Sequence, residues 1–237
     1  MNILNRTVIV TGASSGLGAA ISKALVAEGA KVYGLARNND KLQELQKSIG
    51  SNFIPVQLDI SDEKDVQNWL AETFSEEIAP DILINNAGAG FFGKIDEMPS
   101  EEWYRMINTN LNGMYCITSE AVKFMKAKSE SSHIINIGSI LGITTRAESA
   151  AYSATKYGIS GFSEALFKEL REYNIKVTCL NPGSIDTSFF KSSGIKSHSN
   201  MLQTKDIAST LLHILKTPDN MLISEITVRP LNPIALE

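Results

Sequence analysis

A β-branched run, a glycine-rich turn and an amphipathic helix follow one another without a break over residues 6–28. No other stretch restricts the fold more. Arg6-Thr7-Val8-Ile9-Val10-Thr11 has the composition of a buried parallel strand. Gly12-Ala13-Ser14-Ser15-Gly16-Leu17-Gly18 comes next. Ala19 to Glu28 then carries Ile21, Ala24 and Leu25 on one helical face, and Gly29 stops it. Such a turn suits anion binding. Backbone N–H groups at a helix N-terminus point outward, the helix dipole favours negative charge, and glycines let a pyrophosphate approach. Any tight strand-to-helix turn needs glycine, so the context gives the motif its meaning. The spacing is Gly-x-x-x-Gly-x-Gly rather than Gly-x-Gly-x-x-Gly.

The rest of the chain repeats the alternation. Strands are predicted at Lys31–Ala36, Asn52–Leu58, Asp81–Ile84, His133–Gly138, Lys176–Leu180 and Ile223–Val228. Helices are predicted at Asp40–Ile49, Glu63–Phe74 (capped by Asp62 or Ser61), Glu101–Met125 (capped by Ser100), Ala151–Tyr173 and Thr204–Lys216 (capped by Thr204). This is an α/β pattern: one Rossmann-type domain over residues 1–237, with a doubly wound parallel sheet of about seven strands. Ligands of such sheets bind at the C-terminal ends of the strands.

Several features fall on that rim. After the second strand comes Ala36-Arg37, with no carboxylate to meet a ribose 2′-hydroxyl. A guanidinium there suits a 2′-phosphate, and Ser15 adds a hydroxyl donor, so the predicted cofactor is NADP(H). Asp59 ends the third strand, where it meets an adenine or serves as a second cap. Asn85-Asn86-Ala87-Gly88-Ala89-Gly90 places small residues and two amides at the end of the fourth strand. Asn108, Asn110, Asn112 and Gly113 crowd the middle of a predicted helix, where such residues are unfavourable. That local conflict points to strain or function, with Asn110 the residue of interest.

Tyr152 and Lys156 stand four apart on the next helix and share a face. Ser139 ends the preceding strand and faces them if the loop folds back. A lysine charge favours the phenolate, so the expectation is a Tyr152 pKa drawn down from about 10. On its own, a Tyr-x-x-x-Lys pair is an ordinary amphipathic helix face with a solvated lysine. The helix is rich in small and apolar residues, and burial nearly all round, including against a second subunit, is expected.

Taken together these residues resemble the short-chain dehydrogenase/reductase family over nearly the whole chain. Thr11 to Gly18 matches its TGxxxGxG motif and Asn85-Asn86-Ala87-Gly88 its NNAG. Asn110, Ser139, Tyr152 and Lys156 match its tetrad, and Asn181-Pro182-Gly183 its element after the sixth strand. The resemblance implies hydride transfer between a nicotinamide cofactor and a carbonyl or alcohol carbon of a small substrate. Tyr152 would be the general acid/base and Ser139 would hold the substrate oxygen. Lys156 would tune the tyrosine and bind the nicotinamide ribose, and Asn110 would hold a water linking Lys156 to solvent. Cofactor contacts are implied for Gly12, Ser14, Ser15, Gly16, Leu17, Gly18, Arg37, Asp59, Ile60, Asn86, Ala87, Gly88, Tyr152, Lys156, Pro182, Gly183, Ile185 and Thr187. Phe91, Phe92, Ile140, Leu141, Arg146, Ser184, Phe189 and Phe190 are pocket candidates by position, with Arg146 an anion anchor. The segment at about 186–203 lacks clear periodicity and reads as a substrate lid. A homodimer or homotetramer is implied.

Composition narrows the classes further. The net charge of −4 is spread without a basic stripe, so neither nucleic acid nor an anionic membrane surface is indicated as a partner. Cys116 and Cys179 show no metal-type spacing, so no metal site is expected, and they read as buried thiols of a reducing compartment. With neither a signal peptide nor a membrane-length apolar run read from the sequence, a cytoplasmic protein is expected. The alternative in another class is a non-catalytic NADP(H)-sensing protein, which needs the glycine turn but not Ser139, Tyr152 and Lys156 together. An epimerase or dehydratase of nucleotide sugars shares the Tyr/Lys pair, but the glycine spacing and the short chain disfavour it.

Overall fold

The structure is a computed structural model that describes residues 1–187, 189, 198 and 200–232. Short aliphatic and β-branched runs form seven strands among the described residues: β1 (Thr7–Thr11), β2 (Lys31–Ala36), β3 (Phe53–Gln57), β4 (Ile82–Asn85), β5 (Ser132–Ile137), β6 (Ile175–Pro182) and β7 (Glu225–Val228). All pair in parallel, in the order β3-β2-β1-β4-β5-β6-β7. The expected doubly wound sheet is therefore observed.

Strand side chains alternate between the two faces, and each face meets its own helices. Val8, Val10, Ile82, Ile84, Ile135 and Ile137 join one core with α1 (Gly16–Ala27), α2 (Asn39–Ile49) and α7 (Thr204–Leu215). Ile9, Leu83, Ile134 and Val177 join the other with α3 (Glu63–Thr73), α5 (Met114–Met125) and α6 (Ala150–Leu170). The chain winds outward from β1 to β3, then returns to place β4 on the other side of β1. A crevice opens where the winding reverses, beyond the ends of β1 and β4.

Local chemistry departs from expectation in three places. The helix predicted over 101–125 is broken in three: α4 (Ser100–Ile107), a π-helical segment at Asn108–Gly113, and α5. Three asparagines and a glycine hold an α-helical register poorly, and the wider π turn accommodates them. Pro99, not Ser100, is the cap residue of α4. The cap of α7 is Gln203 rather than Thr204: its backbone N–H donates to Asp206 Oδ2 at 2.8 Å. Along α6, Ala154, Tyr157, Gly161 and Ala165 are exposed on one side. The expected lid falls mostly outside the described residues.

His133 on β5 is 1% exposed. Thr178 Oγ1 donates to the Ile223 carbonyl at 2.7 Å, so at 2.8 Å it accepts from His133 Nε2–H of a neutral imidazole. Burial, with the Lys176 and N-terminal charges adding to it, pushes the His133 pKa down to about 3. The folded state thus binds fewer protons than the unfolded chain between about pH 3 and 6.5, and stability rises with pH there. Urea unfolding should therefore show about 1.4 kcal/mol lost per pH unit below pH 6.5 from this group. His133→Asn should flatten the slope, and an unchanged slope would contradict the assignment.

Candidate active site

The crevice opens into a cavity of about 1080 Å³ running across the C-terminal rim of the sheet. At one end, β1 delivers Thr11 into the glycine turn, where Gly12 adopts φ +67. The N-terminus of α1 follows, and Ser15 makes no side-chain cap there, so its first N–H groups face the cavity uncapped. A Cβ on Gly18 would lie 2.2 Å from the Gly12 carbonyl oxygen and 2.6 Å from Asn86 Nδ2. Only glycine lets the turn close this tightly, and the result is a backbone cradle of the kind that holds a pyrophosphate. Thr11, to which sequence reasoning gave no role of its own, fixes the cradle's far wall. Its Oγ1 accepts from the N–H groups of Asn86 and Ala87, each at 3.0 Å, and Asn86 Nδ2 donates back to the Thr11 carbonyl at 2.9 Å.

Beyond β2 and β3 the wall carries Arg37, Asn38, Asp59 and Ile60. The Arg37 side chain is 77% exposed, with Nη1 3.9 Å from Asp59 Oδ2. Asp59 Oδ1 accepts from Ser61 N at 3.0 Å and Ser61 Oγ at 2.7 Å, so the carboxylate also closes its own turn. The cradle and this exposed guanidinium fit the diphosphate and the 2′-phosphate of a dinucleotide.

The opposite wall holds Ser139, Tyr152 and Lys156. Ser139 Oγ accepts from Leu141 N at 3.1 Å and starts a single 3₁₀ turn, which folds the loop back onto α6. Its backbone N–H donates to Asn181 Oδ1 at 3.1 Å, and Asn181 Nδ2 donates to Glu225 Oε1 at 2.7 Å. This relay crosses three strands, β5 to β7. It requires Gly138, where a Cβ would sit 2.0 Å from Asn181 Oδ1. Lys156 is buried, donates from Nζ to the Ile137 carbonyl at 2.9 Å, and stands 5.6 Å from the Tyr152 ring centroid. Burial brings its pKa down to about 8.

Tyr152 differs from expectation. Burial raises its pKa above the ordinary phenol value, and the hydrogen bond with Ser139 draws it down only in part. Desolvation outweighs the lysine because the ammonium faces Ile137 and not the phenol oxygen. Asn110 also behaves differently, for its side chain does not line the cavity. The π-helical turn aims it at the loop after β4. There Oδ1 accepts from Ala89 N at 2.7 Å, and Nδ2 donates to Ala89 O at 2.9 Å and Thr155 Oγ1 at 3.0 Å. Thr155 Oγ1 in turn donates to the Tyr152 carbonyl at 2.8 Å. Asn110 therefore ties the Asn86–Gly90 loop to the tyrosine's own helix.

All the expected dinucleotide contacts, from Gly12, Ser14, Ser15, Gly16, Leu17 and Gly18 to Pro182, Gly183, Ile185 and Thr187, lie on the cavity wall. So do Ile140, Leu141, Arg146, Ser184 and Phe189. Phe91 does not: Phe92 faces the cavity, with its ring 5.1 Å from that of Tyr152. Residues 86–99 form an irregular loop, where strand alternation gives no guide to which neighbour points inward. Phe190 lies outside the described residues. Arg105, Thr109, His198 and Met201 also line the cavity. Arg105 reads in the sequence as one more arginine on a polar helix, and nothing there marks it out.

The sequence model of the short chain dehydrogenase family matches residues 6–197. The dehydrogenase/reductase SDR family member 11 of Bos taurus is 36% identical over 245 aligned residues, covering 95% of this chain and 96% of the relative. Among solved structures, the closed form of serine dehydrogenase complexed with NADP+ superposes with a TM-score of 0.86 at 28% identity, covering 94% of each chain. The 3-ketoacyl-(acyl-carrier-protein) reductase of Brucella melitensis complexed with NADH gives 0.88 at 27% identity, covering 98% of this chain and all of that one.

The Asn181 relay can be tested on the protein alone. Asn181→Ala removes the acceptor for the Ser139 N–H and should cost about 1–3 kcal/mol in urea unfolding. Glu225→Gln keeps an acceptor for Asn181 and should change stability by less than about 0.5 kcal/mol. Equal, small effects of both would contradict the tie.

Proposed function

The chain belongs to the short-chain dehydrogenases, and we propose that it interconverts a carbonyl and a secondary alcohol on a small substrate, with NADP(H) as hydride carrier and Tyr152 as general acid and base. The observation that carries this reading is the convergence of Ser139, Tyr152 and Lys156 on one wall of a cavity whose other end is the glycine cradle. Bound reduced cofactor supplies the hydride to the carbonyl carbon. The residues of this chain supply the rest. Ser139 Oγ donates to the substrate oxygen and orients it. Burial keeps the Tyr152 hydroxyl protonated, so it stands ready to give its proton to the developing alkoxide. Lys156, with a pKa of about 8, is largely ammonium at neutral pH and sets a positive charge on the same wall, 5.6 Å from the Tyr152 ring centroid. Asn110 and Thr155 hold the tyrosine's helix to the loop beneath it.

For the cofactor, relatives of similar fold carry NADP+ in one case and NADH in another. Arg37 follows β2, whose own end carries no carboxylate, and its guanidinium favours the 2′-phosphate. A homodimer or homotetramer belongs to the same reading, supported by the exposed face of small and aromatic residues on α6, Ala154, Tyr157 and Gly161.

Three outcomes test the proposal. Tyr152→Phe should lower kcat/KM for carbonyl reduction about 10²–10⁴-fold with the circular dichroism unchanged. Retained turnover would remove the tyrosine from the chemistry. Fluorescence titration should show NADPH binding more tightly than NADH, with Arg37→Ala narrowing the gap; equal affinities in the wild type would argue for NAD(H). The rate of reduction should be level below about pH 8 and fall above it, as Lys156 loses its proton. A rate still rising at pH 9 would contradict a catalytic ammonium.

A further inference from the structure

The cavity's charges are unevenly distributed. Among the described residues its wall carries Arg37, Arg105, Arg146 and Lys156, against a single carboxylate, Asp59. Three of the four cations have partners. Arg37 and Asp59 stand together at the adenosine end. Arg105 Nε donates to Glu102 Oε2 at 2.8 Å. Lys156 is bound to the Ile137 carbonyl. Arg146 pairs with no carboxylate among the described residues; its guanidinium carbon instead lies 4.9 Å from the centroid of the Phe92 ring.

That placement is built into the loop. The buried hydroxyl of Ser149 donates to the Arg146 carbonyl at 2.7 Å and accepts from the Arg146 N–H at 3.3 Å. Ser149 Oγ is itself 3.0 Å from Ser153 Oγ, one turn into α6 and next to Tyr152. The backbone of Arg146 is thus anchored to the helix that carries the reacting phenol. Phe92 contacts both, its ring 5.1 Å from that of Tyr152 and under the Arg146 guanidinium. A planar cation with no carboxylate partner among the described residues and the phenol thus share one aromatic ring. Arg146 is exposed at the mouth of the cavity, where its planar guanidinium can take a carboxylate bidentately.

We propose that the substrate turned over at Tyr152 is a short oxo or hydroxy acid, with its carboxylate held by Arg146 and its carbon chain against Phe92. This rests on the oxidoreductase reading of the same cavity. The shared ring limits the acid to a few carbons between the reacting carbon and the carboxylate. In reduction the carbonyl carbon gains a hydride from the reduced nicotinamide and the C=O π pair moves to oxygen. That oxygen takes the Tyr152 proton, and the carboxylate is unchanged.

The test is steady-state kinetics with NADPH on acetoacetate and longer oxo acids, each paired with its methyl ester, for the wild type, Arg146→Ala and Arg146→Lys. The wild type should prefer short acids over their esters by about tenfold or more in kcat/KM, the worth of one charge-assisted contact. Arg146→Ala should bring the acid-to-ester ratio toward one, chiefly through KM for the acid, and Arg146→Lys should restore part of it. Melting temperature and circular dichroism report the fold of each variant. Turnover of esters equal to that of acids in the wild type, or a ratio that Arg146→Ala leaves intact, would overturn the proposal while the oxidoreductase reading stands. No NADPH oxidation on any acid or ester would overturn both.

Discussion

Thr11 joins the two halves of the winding at the point where they part. Its hydroxyl receives two backbone N–H groups from the loop after β4, and its carbonyl receives the Asn86 amide. Parallel strands β1 and β4 are paired only as far as Val10 and Ile84, so beyond the ladder the Thr11 contacts, with Asn86 Nδ2 also donating to the Gly12 carbonyl at 3.3 Å, help set the width of the crevice. The glycine cradle closes against the same asparagine, since Gly18 leaves no room for a Cβ beside Asn86 Nδ2. From there the Asn86–Gly90 loop reaches Ala89, where Asn110 clamps it and passes the contact to Thr155 and the Tyr152 carbonyl. The glycine turn and the helix of Tyr152 are thereby connected through hydrogen bonds at both ends of the Asn86–Gly90 loop.

The end of the cavity that holds Tyr152 and Lys156 is arranged against its own solvation. Tyr152 is buried beside Phe92 and Phe189, and Lys156 is buried beneath it. Burial favours the neutral form of each group, moving the phenol up and the ammonium down. The two shifts bring a protonated phenol and a titratable ammonium into one low-dielectric pocket, where charge forming on a substrate oxygen is felt strongly. The polar groups around them are satisfied by the protein itself: Ile137 receives the lysine, and Asn181 receives the backbone of Ser139. The surrounding strands thus hold this arrangement in place.

Much of this was legible in the sequence because it follows from local rules. The strand at Lys31–Ala36 is where its composition puts it, and Asp62 caps α3 as its position suggests, accepting from Asp65 N at 3.0 Å. Tyr152 and Lys156 share a face because helical spacing requires it. Asn110 was visible as a broken rule, since a helix does not choose three asparagines and a glycine for its middle; the π-helical turn that resolves the conflict was not. The direction of the Tyr152 shift was missed because it depends on burial and on where the lysine points, neither of which spacing encodes. Phe91 and Phe92 could not be separated in an irregular loop, and Gln203 displaced Thr204 as a cap because Asp206 completes its box. The outward face of α6 likewise depends on which side of a small-residue helix meets the sheet.

The central claim is that hydride passes directly to a substrate carbon while Tyr152 supplies the proton. Reduction of a carbonyl substrate with NADPH deuterated at nicotinamide C4, followed by mass spectrometry and NMR of the alcohol, tests it most directly. The account predicts one deuterium on the carbinol carbon, transferred from one face of the nicotinamide only, with the hydroxyl proton from solvent-exchangeable sites. An alcohol whose carbinol hydrogen comes from solvent, or no alcohol at all across neutral and anionic carbonyls, would contradict it.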